Sequence, residues 1–214
     1  MNFYDGVVHA GYPLRVWARL RVRGRELIPA EGAVIIVANH DSMIDPLAVV
    51  GGCHPRRYLR FLAMAELWRN RAVGFVLRRM GHIPVDRGGG GQRAVEEAIR
   101  LLQQGEVVGI FPEGRLSRGH QLRARQGLAQ LVAACPGTPI LLAAVRGADD
   151  LVRFPKRPRV DITFFLPAPA QDGEPPDELP ARMLAQIRAL APPVAAGRRD
   201  RLTRWLRSRR ESRR

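Results

Sequence analysis

A chain of 214 residues with 46% hydrophobic content has the length and composition of one globular domain with a substantial core. Two cysteines, Cys53 and Cys135, exclude a disulfide framework, no apolar run reaches transmembrane length, and the N-terminus lacks the apolar core of a signal peptide, so the chain is expected to stay inside the cell. The net charge of +15 points to a polyanionic partner: nucleic acid, anionic lipid or an acidic carrier.

Residues 1–20, apolar at Phe3, Val7, Val8, Trp17 and Leu20 and interrupted by Gly11 and Pro13, predict a broken amphipathic helix that packs on the body or lies in a membrane interface. An edge strand over 21–25 and a turn over 28–32 lead into the apolar run 33–38, read as a buried strand. That strand ends in Asn39-His40, and Asp45-Pro46 opens a helix over 46–51, with Asp45 suited to the N-cap and Pro46 to the first helical position. Cys53, just after Gly51-Gly52, is read as surface-accessible and Cys135 as buried.

A strand over 58–63, a helix over 67–80 and a short strand within 81–87 follow, the last running into the glycines at 88–91, a hinge or a concavity able to approach an anion. The helix over 92–104 carries Val95, Ala98, Ile99 and Leu102 on one face and closes at Gly105. A buried strand over 107–111 enters the loop Pro112-Glu113-Gly114-Arg115-Leu116-Ser117. A helix over 126–134, strands over 140–145 and 159–165, a linker over 167–176 and a helix over 179–190 complete the body. This alternation predicts an α/β fold in a single domain, a mostly parallel or mixed central sheet flanked by helices. The organisation expected is an N-terminal broken amphipathic helix over 1–20, a main α/β domain over 21–191 and a basic tail over 192–214.

Three strand-to-loop junctions carry polar residues that a core does not need: Asn39-His40 with Asp45, Asp86-Arg87, and Glu113-Gly114-Arg115. A neutral imidazole takes a proton near pH 7, and a carboxylate on its other nitrogen fixes the tautomer, so His40 and Asp45 suit a general base and its partner. The alternative for the pair is a helix cap and a satisfied turn residue. Arginine forks suit a phosphate, or else lie solvated, and Glu113 either faces the site or pairs with a neighbouring arginine. If the three junctions share one sheet edge, the site could bind a phosphorylated alcohol and deprotonate its hydroxyl.

In this order, Asn39-His40 with Asp45, then Gly81 and Ile83-Pro84-Val85-Asp86-Arg87, then Phe111-Pro112-Glu113-Gly114, the chain resembles the lysophospholipid/glycerolipid acyltransferases, above all the bacterial 1-acyl-glycerol-3-phosphate acyltransferases. The lead-in over 24–29 is similar too, and the likeness covers about residues 15–165. The resemblance implies transfer of a fatty acyl group from acyl-CoA or an acyl-acyl-carrier-protein to the free hydroxyl of a lysophospholipid, 1-acyl-glycerol-3-phosphate giving phosphatidic acid, with no metal and no bound cofactor. It implies His40 as the base, Asp45 as its partner, and Arg87, Glu113, Gly114 and Arg115 as acceptor-binding residues. The family's Thr-Arg-Ser is here Arg115-Leu116-Ser117, which brings the arginine one position early, and Leu142 stands where a second proline is usual. A different acceptor, such as a lyso-amino-acid lipid, therefore stays open. With 6% aromatics and no recognition motif, a nucleic-acid partner is not expected.

The lipid substrates that the resemblance implies place the enzyme, as an expectation, peripherally on the cytoplasmic face of the membrane, where it would need an anchor. The tail over 198–214 is dense in arginine, opposed by Asp200 and Glu211, and Leu202, Trp205 and Leu206 fall at helical spacing. It reads as an electrostatic and interfacial anchor for anionic lipid, or as a solvated tail.

Overall fold

The computed structural model describes residues 2–12, 18–86, 88, 91–148, 158–170 and 175–194. Arg87 and the tail over 198–214 lie outside the described residues, as do residues 13–17.

Helix α1 (Phe3–Ala10) opens in a capping box, in which the Asn2 side chain accepts from the Asp5 N–H and the Asp5 carboxylate accepts from the Asn2 N–H. Its buried Tyr4 hydroxyl donates to the Leu59 carbonyl at 2.9 Å and accepts from the Leu59 N–H at 3.0 Å. Of the two placements the sequence allows, the described part of this segment packs on the body. Strand β1 (Arg21–Arg23) ends two residues before the expected limit because Gly24 turns out of it at φ +72°, where a Cβ would sit 2.1 Å from the Phe164 carbonyl oxygen.

Strand β2 (Val34–Ala38) is buried on both faces, Val34, Ile36 and Ala38 to one side and Ile35 and Val37 to the other. Helix α2 (Asp45–Cys53) is longer than expected at both ends. Its N-cap is Ile44, so Asp45 does not cap it and turns its carboxylate back over the preceding loop instead. The helix carries Cys53 into the core, fully buried, against the expectation of a surface thiol. After β3 (Leu59–Met64) the single helix expected over 67–80 is two pieces: a 3-10 turn at Ala65–Arg69, then α3 (Arg71–Arg79). Asn70 makes the break, its Oδ1 accepting from the amides of Ala72 and Val73 at 3.1 Å each.

Strand β4 (Ile83–Val85) leads to α4 (Gln92–Gln103). That helix closes as the glycine at 105 predicts, with the Gly105 N–H on Leu102 and the Glu106 N–H on Leu101, a Schellman pair. Strand β5 (Val107–Ile110), α5 (Gly127–Ala134), β6 (Ile140–Arg146), β7 (Asp161–Phe165) and α6 (Leu179–Leu190) follow.

The seven strands form one mixed sheet in the order β1-β7-β6-β2-β5-β3-β4. The run β6-β2-β5-β3-β4 is parallel throughout, while β7 is antiparallel to β6 and parallel to β1. Helices α1 and α2 cover one face, and α4, α5 and α6 the other. No helix among the described residues is long and apolar enough to cross a membrane. Because β2 and β5 pair Val37 with Ile110, and β3 and β4 pair Met64 with Val85, the loops after β2, β5 and β4 leave the sheet at one edge. The convergence that the three polar junctions require is therefore built into the strand directions.

Candidate active site

The loop after β2 is fixed by its first residue. Asn39 is fully buried; its Oδ1 accepts the Val145 N–H at 2.8 Å, and its Nδ2 donates to the Val145 carbonyl at 2.9 Å and to Asp41 Oδ2 at 3.0 Å. Asp45, 1% exposed, receives the N–H groups of Asp41 and Ser42 on Oδ2 at 2.6 and 2.7 Å. The same oxygen faces His40 Nδ1 at 3.4 Å, long for a hydrogen bond, as catalytic contacts often are before substrate arrives. Burial pushes the Asp45 carboxyl up from its ordinary pKa, against the pull of His40 and the two amides. An ionised carboxylate can only accept, so the contact calls for Nδ1–H and leaves the lone pair on Nε2, which bonds no protein group among the described residues.

The ring of His40 lies on Phe111, with centroids 4.3 Å apart and planes at 19°, and Phe111 lies on Phe61 at 4.6 Å and 6°. Phe61 fits because β5 offers Gly109 beneath it, where a Cβ would approach the ring to 2.5 Å. The imidazole is thus backed by a two-ring apolar wall, Phe61 from β3 and Phe111 from the residue that follows β5.

The loop after β5 locks onto the loop after β2 through backbone and side chain. Glu113, 2% exposed, accepts the His40 N–H on Oε2 at 2.8 Å, and the Ser117 N–H donates to the His40 carbonyl at 2.8 Å. The Ser117 hydroxyl donates to Asp41 Oδ1. Behind both loops lies Arg188 of α6, itself buried. Its Nη1 and Nη2 grip Asp41 at 2.8 and 3.0 Å, and its Nε, at 3.2 Å, and Nη2 reach Glu113 Oε1. Burial raises the Glu113 pKa and would lower that of Arg188, but for the arginine the two carboxylates outweigh it and hold the guanidinium charged.

His40, Asp45 and Glu113 therefore meet, together with Asp41. The Glu113 carboxylate is turned inward, onto the His40 amide and Arg188. Gly114 sits at φ +64°, where a Cβ would meet the Arg125 side chain at 2.6 Å. Arg115 is exposed in the same loop, as are Arg118, Arg123 and Arg125. Arg87 lies outside the described residues; its neighbour Asp86 accepts the Gly88 N–H at 2.9 Å. Ser42 is buried, its hydroxyl accepting the Ile44 N–H at 3.3 Å. Sequence reasoning missed Arg188, and the signal was an arginine on the apolar face of a helix, between Leu184, Ile187 and Ala191. Among the described residues no group of three or more His, Cys, Asp or Glu side chains is arranged to hold a metal ion. Beside the loop an apolar hollow of about 590 Å³, part of it open to solvent, is lined by Val7, Gly11, Ile44, Leu47, Met80 and Val160.

Comparison with known proteins gives the family and the fold. The family model described as Acyltransferase matches residues 19–146. The chain is 33% identical over 122 residues to the 1-acyl-sn-glycerol-3-phosphate acyltransferase of Bacillus subtilis, covering 54% of this chain and 61% of that protein. It is 35% identical over 127 residues to the enzyme of the same name from Borreliella burgdorferi, covering 58% of this chain and 49% of that one. Less than two thirds of each relative's own length is thus represented. The crystal structure of the 1-acyl-sn-glycerophosphate (LPA) acyltransferase from Thermotoga maritima superposes with a TM-score of 0.69 at 23% identity, over 88% of this chain and 78% of that one, and so shares the α/β fold. With the matched segment spanning β1 to β6 and both loops of the candidate site, the chain belongs to the acyltransferase family.

Proposed function

We propose that this protein transfers a fatty acyl group from an acyl thioester to the free hydroxyl of a lysophospholipid. The observation that carries the reading is His40 held between Asp45 on Nδ1 and Phe111 on its face, at the edge where parallel strands end, with Nε2 free of protein partners among the described residues. The acceptor hydroxyl gives its proton to Nε2 as its oxygen attacks the thioester carbonyl; the C–O bond forms, the C–S bond breaks, and the imidazolium returns the proton to the departing thiolate. Asp45 holds the ring and stabilises its cation.

The acceptor we favour is 1-acyl-glycerol-3-phosphate, giving phosphatidic acid, with acyl-CoA or acyl carrier protein as donor. The four exposed arginines between 115 and 125 supply guanidiniums for a phosphate at the same edge, while Gly114 lets the chain turn close to the acceptor; Arg87, outside the described residues, is a further acceptor-binding candidate on the family's motif alone. Glu113 serves the acceptor side by holding this loop against His40. The apolar hollow beside Ile44 suits hydrocarbon, and exposed Met43, Leu47 and Tyr12 suit a bilayer surface on the cytoplasmic side, with the tail over 198–214 as an added anchor.

The test is acyl transfer by the purified chain, with acyl-CoA and acyl carrier protein as donors and lysolipids offered one by one. Phosphatidic acid from lysophosphatidic acid, lost in His40→Ala, is the expected result. Acylation of another lysolipid in preference would replace the acceptor, and no transfer to any of them would overturn the reading.

A further inference from the structure

We propose that Arg188, which lies outside the segment the family model matches, is a positioning residue that sets the catalytic loop by holding two buried carboxylates against each other; this rests on the acyl-transfer reading above. Asp41 and Glu113 come from different loops, 72 positions apart by their numbering, and both are buried. Two carboxylates sharing one low-dielectric site repel, and one of them is driven to take up a proton unless a cation joins them. Arg188 is that cation. Its fork takes both oxygens of Asp41 and, through Nε and Nη2, the Oε1 of Glu113.

Each carboxylate has a second task at the base. Glu113 Oε2 holds the His40 N–H at 2.8 Å, and Asp41 takes the Asn39 amide and the Ser117 hydroxyl, while the Ser117 N–H holds the His40 carbonyl. The backbone of His40 is therefore held on both sides by groups that Arg188 ties together, without any contact between Arg188 and the imidazole. The titratable groups facing Arg188 are Asp41 from the loop after β2 and Glu113 from the loop after β5, with Asp45 and His40 one step beyond. A simple staple between α6 and the sheet would need no fork spanning both loops; Met183, Leu184 and Ile187 already bury that face of the helix.

The signature that separates positioning from stapling is its dependence on charge. In Arg188→Gln the two carboxylates repel when both are ionised and share a proton as pH falls. We expect kcat at pH 8 to drop by about 100-fold, the scale of a misplaced catalytic group, with KM for donor and acceptor each within about threefold. The deficit should narrow towards pH 6. Arg188→Lys, a point charge that cannot fork, should recover part of the loss. Adding Glu113→Gln to Arg188→Gln removes the repulsion and should recover about tenfold over Arg188→Gln alone.

Amide hydrogen exchange gives a readout independent of activity: the His40 amide should exchange at least about tenfold faster in Arg188→Gln, while Ile35 and Ile36 in the sheet keep their protection. If the wild-type chain acylates no lysolipid, the proposed function fails, and the exchange experiment still decides the role of Arg188. Should Arg188→Gln not fold, the lysine variant and the double variant carry the same comparison. A folded variant with kcat within about threefold of wild type, a deficit equal at all pH values and unrelieved by Glu113→Gln, or exchange that changes only at residues 187–191, would make Arg188 a staple and overturn the proposal.

Discussion

Asn39 and Val145, 106 positions apart, share two hydrogen bonds: the Val145 N–H donates to Asn39 Oδ1 at 2.8 Å and Asn39 Nδ2 donates to the Val145 carbonyl at 2.9 Å. A side-chain amide here does what the backbone of one more residue of β2 would do for β6. The loop is thereby released from the strand one residue earlier without leaving a buried backbone group unpaired. Asn39→Ala strands both groups of Val145 and should cost about 2–4 kcal/mol, in the range for one or two unsatisfied buried partners. Asn39→Asp should be worse at pH 8 than at pH 5, because it sets a third carboxylate beside Asp41 and removes both donors. Urea denaturation of the two variants at both pH values checks this; an Asn39→Ala protein within about 0.5 kcal/mol of wild type would mean that water replaces the amide without loss.

His40→Ala should lower turnover by about 100-fold or more while leaving the protein folded, since the ring, 16% exposed, lies at the sheet edge against Phe111 rather than between the sheet and its helices. Asp45→Asn should cost less, because an amide oxygen can still accept from the Asp41 and Ser42 amides while losing the charge that stabilises the imidazolium. Steady-state acyl transfer by both variants is the measurement. More than about a tenth of wild-type turnover in His40→Ala is incompatible with general-base catalysis by this residue.

Gly109→Ala tests the aromatic wall. A Cβ at 109 meets the Phe61 ring at 2.5 to 2.9 Å, and that ring is stacked on Phe111 and so on His40. Overpacking of this kind costs about 1–3 kcal/mol, and here the strain has one direction of relief, towards the imidazole. Activity should fall several-fold more than the loss of folded protein explains. A variant destabilised to that extent but with unchanged kcat per folded molecule would show that the wall shapes the core and not the base.

His82 makes stability depend on acid. Its Nδ1 accepts the Phe61 N–H at 3.0 Å, which only the neutral ring can do, and burial, reinforced by the Arg60 charge, lowers its pKa to about 4. The unfolded chain takes up this proton near pH 6.5, before the folded one does. The contribution is therefore complete above about pH 6.5 and lost as pH falls towards about 4, with an upper limit of about 3 kcal/mol. The raised Asp45 and Glu113 carboxyls work in the opposite direction, so the measurement is a difference: wild type should lose more stability than His82→Asn between pH 7.5 and 4.5. Equal losses in the two proteins would remove His82 from the acid response.

Much of the fold is legible because its signals are local. The five apolar residues of β2 read as a strand buried on both faces, and α6 ends where the periodicity stops, at Leu190. The pairing of His40 with Asp45 is legible for the same reason, since five positions across one loop bring them together. The break between the 3-10 turn and α3 was hidden because Asn70 falls at a polar position of a helical period that continues past it, and only the bonds to Ala72 and Val73 reveal a new start. Cys53 was misjudged because the glycines before it suggested a loop, whereas they lie within α2 and let Phe164 and Ile162 pack close, at 3.2 to 3.3 Å from an added Cβ at Gly52. Glu113 was identified for the site, but its inward turn depends on Arg188, and no spacing rule links residues so far apart.

Arg188 reaches Asp41 across 147 positions, and this has a consequence for the protein's synthesis. At about 5–20 residues per second, on the order of ten seconds separate the translation of the anion from that of the cation. In the second half of that interval, from residue 114 onwards, the growing chain already contains its Asn-His and Phe-Pro-Glu-Gly motifs, yet Asp41 and Glu113 lack the guanidinium that joins them. On the role proposed for Arg188, full turnover waits for α6, and a nascent chain stalled before residue 188 bears the family's motifs with its candidate base not yet held in place.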